Sequence, residues 1–234
     1  MVAGLAGLAL WTGAPAVREW LRPPFVFDPL PVPGFRALSR PSPGLTAIAL
    51  APVIPGVRHS SGLADRELCA ALHAPGKRPA LAYFLDPQCP ICRQMLPEVI
   101  GAATASGAPL RIHLLTGLGP ASEVAARAIL AARAQGLEAA MRDRLARAAL
   151  VPDMSYVLAV AGSVGAEPGR LAADMDSETV TAELGRAADL ARIFGLRGTP
   201  ATFVGHTLAE GRLGRGEIEA LIRQEAGESP GPCS

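Results

Sequence analysis

Two cysteines separated by two residues, Cys89-Pro90-Ile91-Cys92, are the part of this chain best equipped for chemistry. A thiolate is a nucleophile and a soft metal ligand, so the pair admits disulfide exchange or metal binding. Its surroundings favour the first. Ala80 to Leu85 is an apolar run with two aromatics, the pattern of a buried strand. Asp86-Pro87 ends it as a turn. Pro90 then suits the first position of a helix, where a missing N–H costs nothing. Cys89 falls at the helix N-terminus and Cys92 about one turn further in. The unpaired N–H groups and the positive end of the helix dipole stabilise a thiolate at Cys89. Cys92 is close enough to attack a mixed disulfide on Cys89 and release the partner.

Zinc or copper would need further ligands. Cys69, Cys233, His59, His73, His113 and His206 supply no second paired motif, and Met95 is the only methionine near the pair. Dithiol exchange requires no bound cofactor and no metal. A thioredoxin-fold module delivering copper or zinc is the alternative from another class. Asp86 either influences proton transfer to Cys92 or serves as a turn and capping residue. Arg93 either lowers the Cys89 pKa or is a solvated helix residue; the second is favoured.

The elements that must hold this pair follow from the rest of the chain. Its 234 residues suffice for one well-buried domain with an insertion. A net charge of +1 gives no electrostatic case for nucleic acid. Residues 1–21 are apolar at Val2 to Trp11, and Ala14-Pro15-Ala16 has the small-x-small look of a cleavage site. They read as a signal peptide or signal-anchor, which places the protein outside the cytoplasm, soluble or tethered by its N-terminus. Residues 22–55 are proline-rich and read as an extended tether that then packs on the domain, with a first edge strand at Leu45 to Leu50. Residues 56–234 form the domain. Leu63 to Ala74 is a helix carrying Cys69 on its apolar stripe, and Leu110 to Leu115 alternates as a strand parallel to the one before the dithiol. Residues of about 120–196 are helical and too numerous for a simple crossover. Thr202 to Val204 is a strand entered by Pro200, Thr207-Leu208 pairs back as a hairpin, and Gly214 to Ala226 is a terminal helix. Cys69 and Cys233 are either a second, structural disulfide, or a buried free thiol and the end of a loose tail.

The segment Phe84-x-Asp-Pro-x-Cys-Pro-x-Cys92, with Gly198-Thr199-Pro200 before a strand and a helical stretch between them, resembles the DsbA-like branch of the thioredoxin superfamily over roughly residues 78–226. The resemblance implies an α/β thioredoxin fold with a helical insertion between the second βα unit and the cis-Pro strand. It implies Cys89 as attacking thiolate and Cys92 as resolving thiol, forming the redox disulfide. A cis Pro200 would line a substrate groove with Thr199, Pro90 and Ile91. It further implies bacterial periplasmic localisation, protein or peptide thiol and disulfide substrates, and a membrane redox partner that recycles the dithiol. Two features depart from the strong oxidants of that branch. Pro90-Ile91 lacks the histidine they carry, and the Asp-Pro and Thr-Pro pairs look closer to reductase and isomerase relatives. Kappa-class glutathione transferases share the inserted fold but lack this dithiol.

Overall fold

The computed structural model describes residues 25–39, 65–77, 79–148, 152–228 and 231–233. The leader at 1–21 and the strand expected at Leu45 to Leu50 lie outside the described residues. Among the described residues no helix is long and apolar enough to cross a membrane.

A six-stranded mixed sheet organises the domain. Its strands are β1 (Phe27–Pro29), β2 (Arg36–Leu38), β3 (Leu81–Leu85), β4 (Leu110–Leu114), β5 (Ala201–Val204) and β6 (Thr207–Glu210), in the order β1-β2-β6-β5-β3-β4. Between β3 and β4 runs helix α2 (Pro90–Ser106), and the two strands are parallel, as a βαβ unit requires. β5 pairs antiparallel with β3 and turns back as a hairpin into β6. Gly205 makes that turn with φ +56°, in the left-handed region.

Side-chain alternation along β3 sends Leu81, Tyr83 and Leu85 to one face and Ala82 and Phe84 to the other. The first face is covered by α2, the terminal helix α8 (Arg215–Gly227) and the insertion. That insertion is α3 (Pro120–Ala132), a 3-10 turn (Arg133–Gln135), α4 (Glu138–Ala146), α5 (Met154–Ser163), α6 (Pro168–Met175) and α7 (Glu178–Ile193). Sequence breakers start its helices: Pro120 and Pro168 occupy first turns, and Asp153 and Ser177 cap α5 and α7. The second face is covered by α1 (Asp65–Leu72) and by Leu190 and Phe194. Although aromatics are only 4% of the chain, four of its six phenylalanines meet on this face. Phe194 lies 4.6 Å from Phe203 and 4.8 Å from Phe35, and Phe203 lies 6.0 Å from Phe84, ring centre to ring centre.

Two expectations change. The proline-rich stretch expected as tether is part of the sheet at 27–29 and 36–38. There the Arg36 guanidinium donates at 2.7 Å to Glu225, Glu228 and Thr207 and lies 3.8 Å above the Phe27 ring. The tail beyond α8 is not loose where it is described: Cys233 is buried and bonded to Cys69 across a sequence separation of 164. Closing so long a loop removes much of the freedom of the unfolded chain. Changing Cys69 and Cys233 together to serine is therefore expected to lower the free energy of unfolding by about 2–5 kcal/mol. Urea midpoints measured with Cys89 and Cys92 reduced in both proteins would check this.

Candidate active site

Cys89 is the N-cap of α2. Its φ and ψ of −73° and 114° turn the chain out of β3, and its sulfur accepts a 3.3 Å hydrogen bond from the Cys92 amide. Pro90 is the first helical residue and is exposed; Ile91 is half-buried. Both thiols are free, and the two side chains are almost wholly covered. The cover comes from the loop before β5. The Thr199–Pro200 peptide bond is cis, and the Thr199 carbonyl accepts from the Cys89 thiol at 3.6 Å. Thr199 and Pro200 are buried against the dithiol rather than standing open as a groove.

The surroundings split two chemically identical thiols. Cys89 is lowered to about 6, chiefly by the hydrogen bond from the Cys92 thiol. Burial opposes this, while the amides of Cys92 and Ile91 and the Thr199 hydroxyl assist. Cys92 is pushed strongly upward, first by burial and then by the bond and charge of Cys89. One sulfur is thus an anion near neutrality and the other a protonated donor beside it. That is the division of labour a two-step thiol exchange needs.

Asp86 has the structural one of the two roles open to it. Its carboxylate is fully buried and accepts from the Gln88 amide at 2.8 Å, the Leu118 amide at 3.0 Å and the Ser122 hydroxyl at 2.6 Å. It ties the turn before Cys89 to the start of α3, and its contribution at Cys92 comes from its main chain. Arg93 is not a solvated residue. It donates to the carbonyls of Pro87 at 2.8 Å and Ala148 at 2.9 Å, joining the dithiol turn to the insertion.

The soft donors considered for a metal are engaged elsewhere. Cys69 and Cys233 are bonded to each other. A ring nitrogen of His73 meets the Gly205 carbonyl, and one of His113 meets the Leu72 carbonyl, each at 2.8 Å. His206 lies 2.8 Å from Glu225, and His59 is outside the described residues. Among the described residues, the one close trio of metal-ligating side chains is His206, Glu225 and Glu228, whose two carboxylates already hold Arg36. Sequence reasoning missed two groups at the dithiol. One is the Thr199 hydroxyl, which hydrogen-bonds the Cys89 sulfur. The other is Tyr83, fully buried, whose hydroxyl donates to the Cys92 carbonyl at 3.1 Å. Tyr83 was legible only as a core aromatic, although a buried phenol needs a partner and so signals one.

A family model, the DSBA-like thioredoxin domain, matches residues 101–221, just over half of the chain. The chain belongs to the DsbA-like thioredoxin domain family, whose members are thiol–disulfide oxidoreductases. The match begins after the dithiol, so the geometry at Cys89 and Cys92 is independent of it. A thioredoxin-like oxidoreductase from Silicibacter pomeroyi DSS-3 is 30% identical, with a TM-score of 0.62 over 64% of this chain and 87% of its own. A periplasmic thioredoxin-like protein from Salmonella enterica serovar Typhimurium shares the fold at 24% identity, TM-score 0.60, over 69% of this chain and 97% of its own. The thiol-disulfide exchange protein alpha-DsbA2 from Wolbachia pipientis does so at 15% identity, TM-score 0.57, over 70% and 97%. No curated protein matches the sequence.

In this DsbA-like chain the lowered Cys89 sets a pH dependence. The folded value of about 6 lies below that of an ordinary thiol, about 8.5. A lowered acid contributes stability that is complete above the unfolded value and is lost as pH falls through the folded one. The melting temperature of the reduced protein should therefore rise from about pH 6 to about pH 8.5, and the Cys89→Ser variant should lose this rise. Alkylation of the reduced wild type by iodoacetamide should show its midpoint near pH 6; a midpoint above 8 would contradict the assigned thiolate.

Proposed function

We propose that this protein exchanges disulfides with exported protein substrates through Cys89 and Cys92. The observation that carries the proposal is the free dithiol at one helix start, with Cys89 as the cap of α2 and the cis Thr199–Pro200 bond against it. Cys89 attacks, or is attacked by, a substrate sulfur. Cys92 closes the internal disulfide and releases the substrate. An extended substrate meets the exposed Pro90 and the half-buried Ile91, and reaches Thr199 and Pro200 only as the cover beside Cys89 gives way. The periplasmic relative and the signal-like N-terminus support a periplasmic site of action, soluble or anchored. A membrane redox partner would reset the dithiol after each turnover.

The direction of exchange follows from how strongly the thiolate is held. Stabilising Cys89 as an anion stabilises the reduced state and makes the disulfide a better oxidant. Without a histidine between the cysteines, the thiolate relies on neutral donors from Cys92, Ile91 and Thr199. The reduction potential is accordingly expected between the thioredoxin value, about −270 mV, and the DsbA value, about −120 mV. Equilibration with glutathione measures it.

Cys89→Ser should abolish exchange while the far-ultraviolet circular dichroism remains that of the wild type. Cys92→Ser should instead accumulate mixed disulfides with substrate, visible on non-reducing gels. A Cys89→Ser protein that still catalysed exchange would remove the dithiol from the mechanism.

A further inference from the structure

The sheet ends at β4, which pairs with β3 and with no other strand among the described residues. In that parallel ladder the Leu81 amide donates to the Pro109 carbonyl and the Leu115 amide to the Leu85 carbonyl. Residues 109, 111, 113 and 115 therefore turn their main chain toward β3, and Leu110, Ile112 and Leu114 turn theirs outward. Leu114 is buried, whereas Leu110 and Ile112 are half-buried. Among the described residues, the N–H and C=O groups of Leu110 and Ile112 make no hydrogen bond. An open edge of this kind is a template for a further strand.

The edge opens into a cleft of about 480 Å³ between the end of α1, the 3-10 turn, α4 and α7. Its charges are unevenly matched. Arg133 is spent on Glu138 at 2.6 Å and on Glu183 at 2.5 Å. That leaves Arg111 and Arg186, neither of which has a carboxylate partner among the described residues. Arg111 donates to the carbonyls of Ala70 and Ala71, each at 2.9 Å, and Arg186 is exposed. The Arg111 guanidinium is held below its ordinary pKa, chiefly by burial; Glu183 opposes this, and Arg133 and Arg186 add to it. Surplus positive charge beside an open edge favours negative charge on whatever pairs there. A second copy of this chain does not supply it, because a two-fold pairing of β4 with β4 brings the two arginine patches together.

We propose that the open edge of β4 is a docking site for an extended acidic segment of another protein. The segment adds a strand at Leu110 and Ile112 and sets its carboxylates beside Arg111 and Arg186. The side chains of Leu110 and Ile112 pack on the α2 face of the sheet, and that of Arg111 reaches α1 on the other. A docked strand alternates in the same way, so the segment that fits alternates apolar residues with aspartate or glutamate. Main-chain hydrogen bonds hold such a strand, and its side chains select it. The site is separate from the dithiol. Leu110 lies beside Leu81 at the start of β3, and Cys89 follows the end of that strand.

The probe is a fluorescein-labelled heptapeptide, Val-Glu-Val-Glu-Val-Glu-Val, titrated against the whole protein by fluorescence anisotropy. Saturable binding is expected, with slowed hydrogen exchange at the amides of Leu110 and Ile112 in nuclear magnetic resonance spectra. Arg186→Glu should weaken binding about tenfold and Arg186→Gln by less, both with wild-type rates of disulfide exchange with glutathione. Arg186 is exposed on a helix, and the glutamine variant carries the test if the charge reversal does not fold. The same peptide with lysine in place of glutamate should not bind. Absence of binding would overturn the proposal and leave the arginines as guards of the edge. Binding without protection of those two amides would also overturn it, marking an anion site with no added strand. So would binding that is unchanged in the Arg186 variants. Protection of the two amides that grows with protein concentration alone would assign the edge to a second copy and overturn the proposal.

Discussion

The antiparallel register between β3 and β5 is the constraint on which the site depends. Phe84 faces Ala201 and Tyr83 faces Thr202, so the end of β3 and the start of β5 lie at the same edge of the sheet. The turn leaving β3 carries Cys89, and the loop entering β5 carries Thr199 and Pro200. Residues 110 apart in sequence therefore meet at 3.6 Å without either segment being regular at the point of contact. A slip of one residue would exchange the two faces of β5. Thr202 would then point into the phenylalanine cluster, and Phe203 would lie under the dithiol.

Holding the site in place requires buried polar groups, and Asp86 and Arg93 are matched to donors or acceptors nearby. The Asp86 carboxylate takes three hydrogen bonds, one from the loop before α3 and one from the first turn of α3 itself. Arg93 reaches the insertion from the other side through the Ala148 carbonyl. The insertion is thus fastened to the dithiol turn by hydrogen bonds as well as by the apolar contacts of Ile129 and Leu145 with the α2 face. Buried groups of this kind are costly when left alone and informative about position when satisfied. They explain how a cap residue at a loop end can be held firmly enough to set the charge of its own sulfur.

The sequence made the local parts of this arrangement legible and left the distant ones obscure. The strand–dithiol–helix unit was readable because an apolar run, a proline at the helix start and the cysteine spacing all act within about twenty residues. The helical stretch of about 120–196 was readable for the same reason. The placement of residues 27–38 was not. Three-residue strands between prolines carry no periodicity, and their position is decided by Arg36 meeting Glu225, 189 residues away. Arg93 was misjudged because its partner at Ala148 is also remote. Tyr83 and the Thr199 hydroxyl have ordinary identities, and their relevance exists only once β3, β5 and α2 are assembled.

The sheet also separates two kinds of sulfur chemistry. Cys89 and Cys92 belong to the core on the α2 face, whereas Cys69 and Cys233 belong to the core on the α1 face. Thiol–disulfide exchange requires the attacking thiolate to approach a disulfide along its sulfur–sulfur axis, so access governs which bonds react. A chain that handles disulfides while carrying one of its own must keep the two apart. Here the separation is a layer of hydrogen-bonded strands, and the Cys69–Cys233 bond is further enclosed by Leu68, Leu72 and the phenylalanine cluster. The reactive pair is no less covered, but it sits at a strand end, where Cys89 caps α2 beneath the loop that carries Thr199. What sets the two pairs apart is not exposure but the helix start, where hydrogen bonds lower the Cys89 thiol, while Cys69 and Cys233 are bonded to each other on the other face of the sheet.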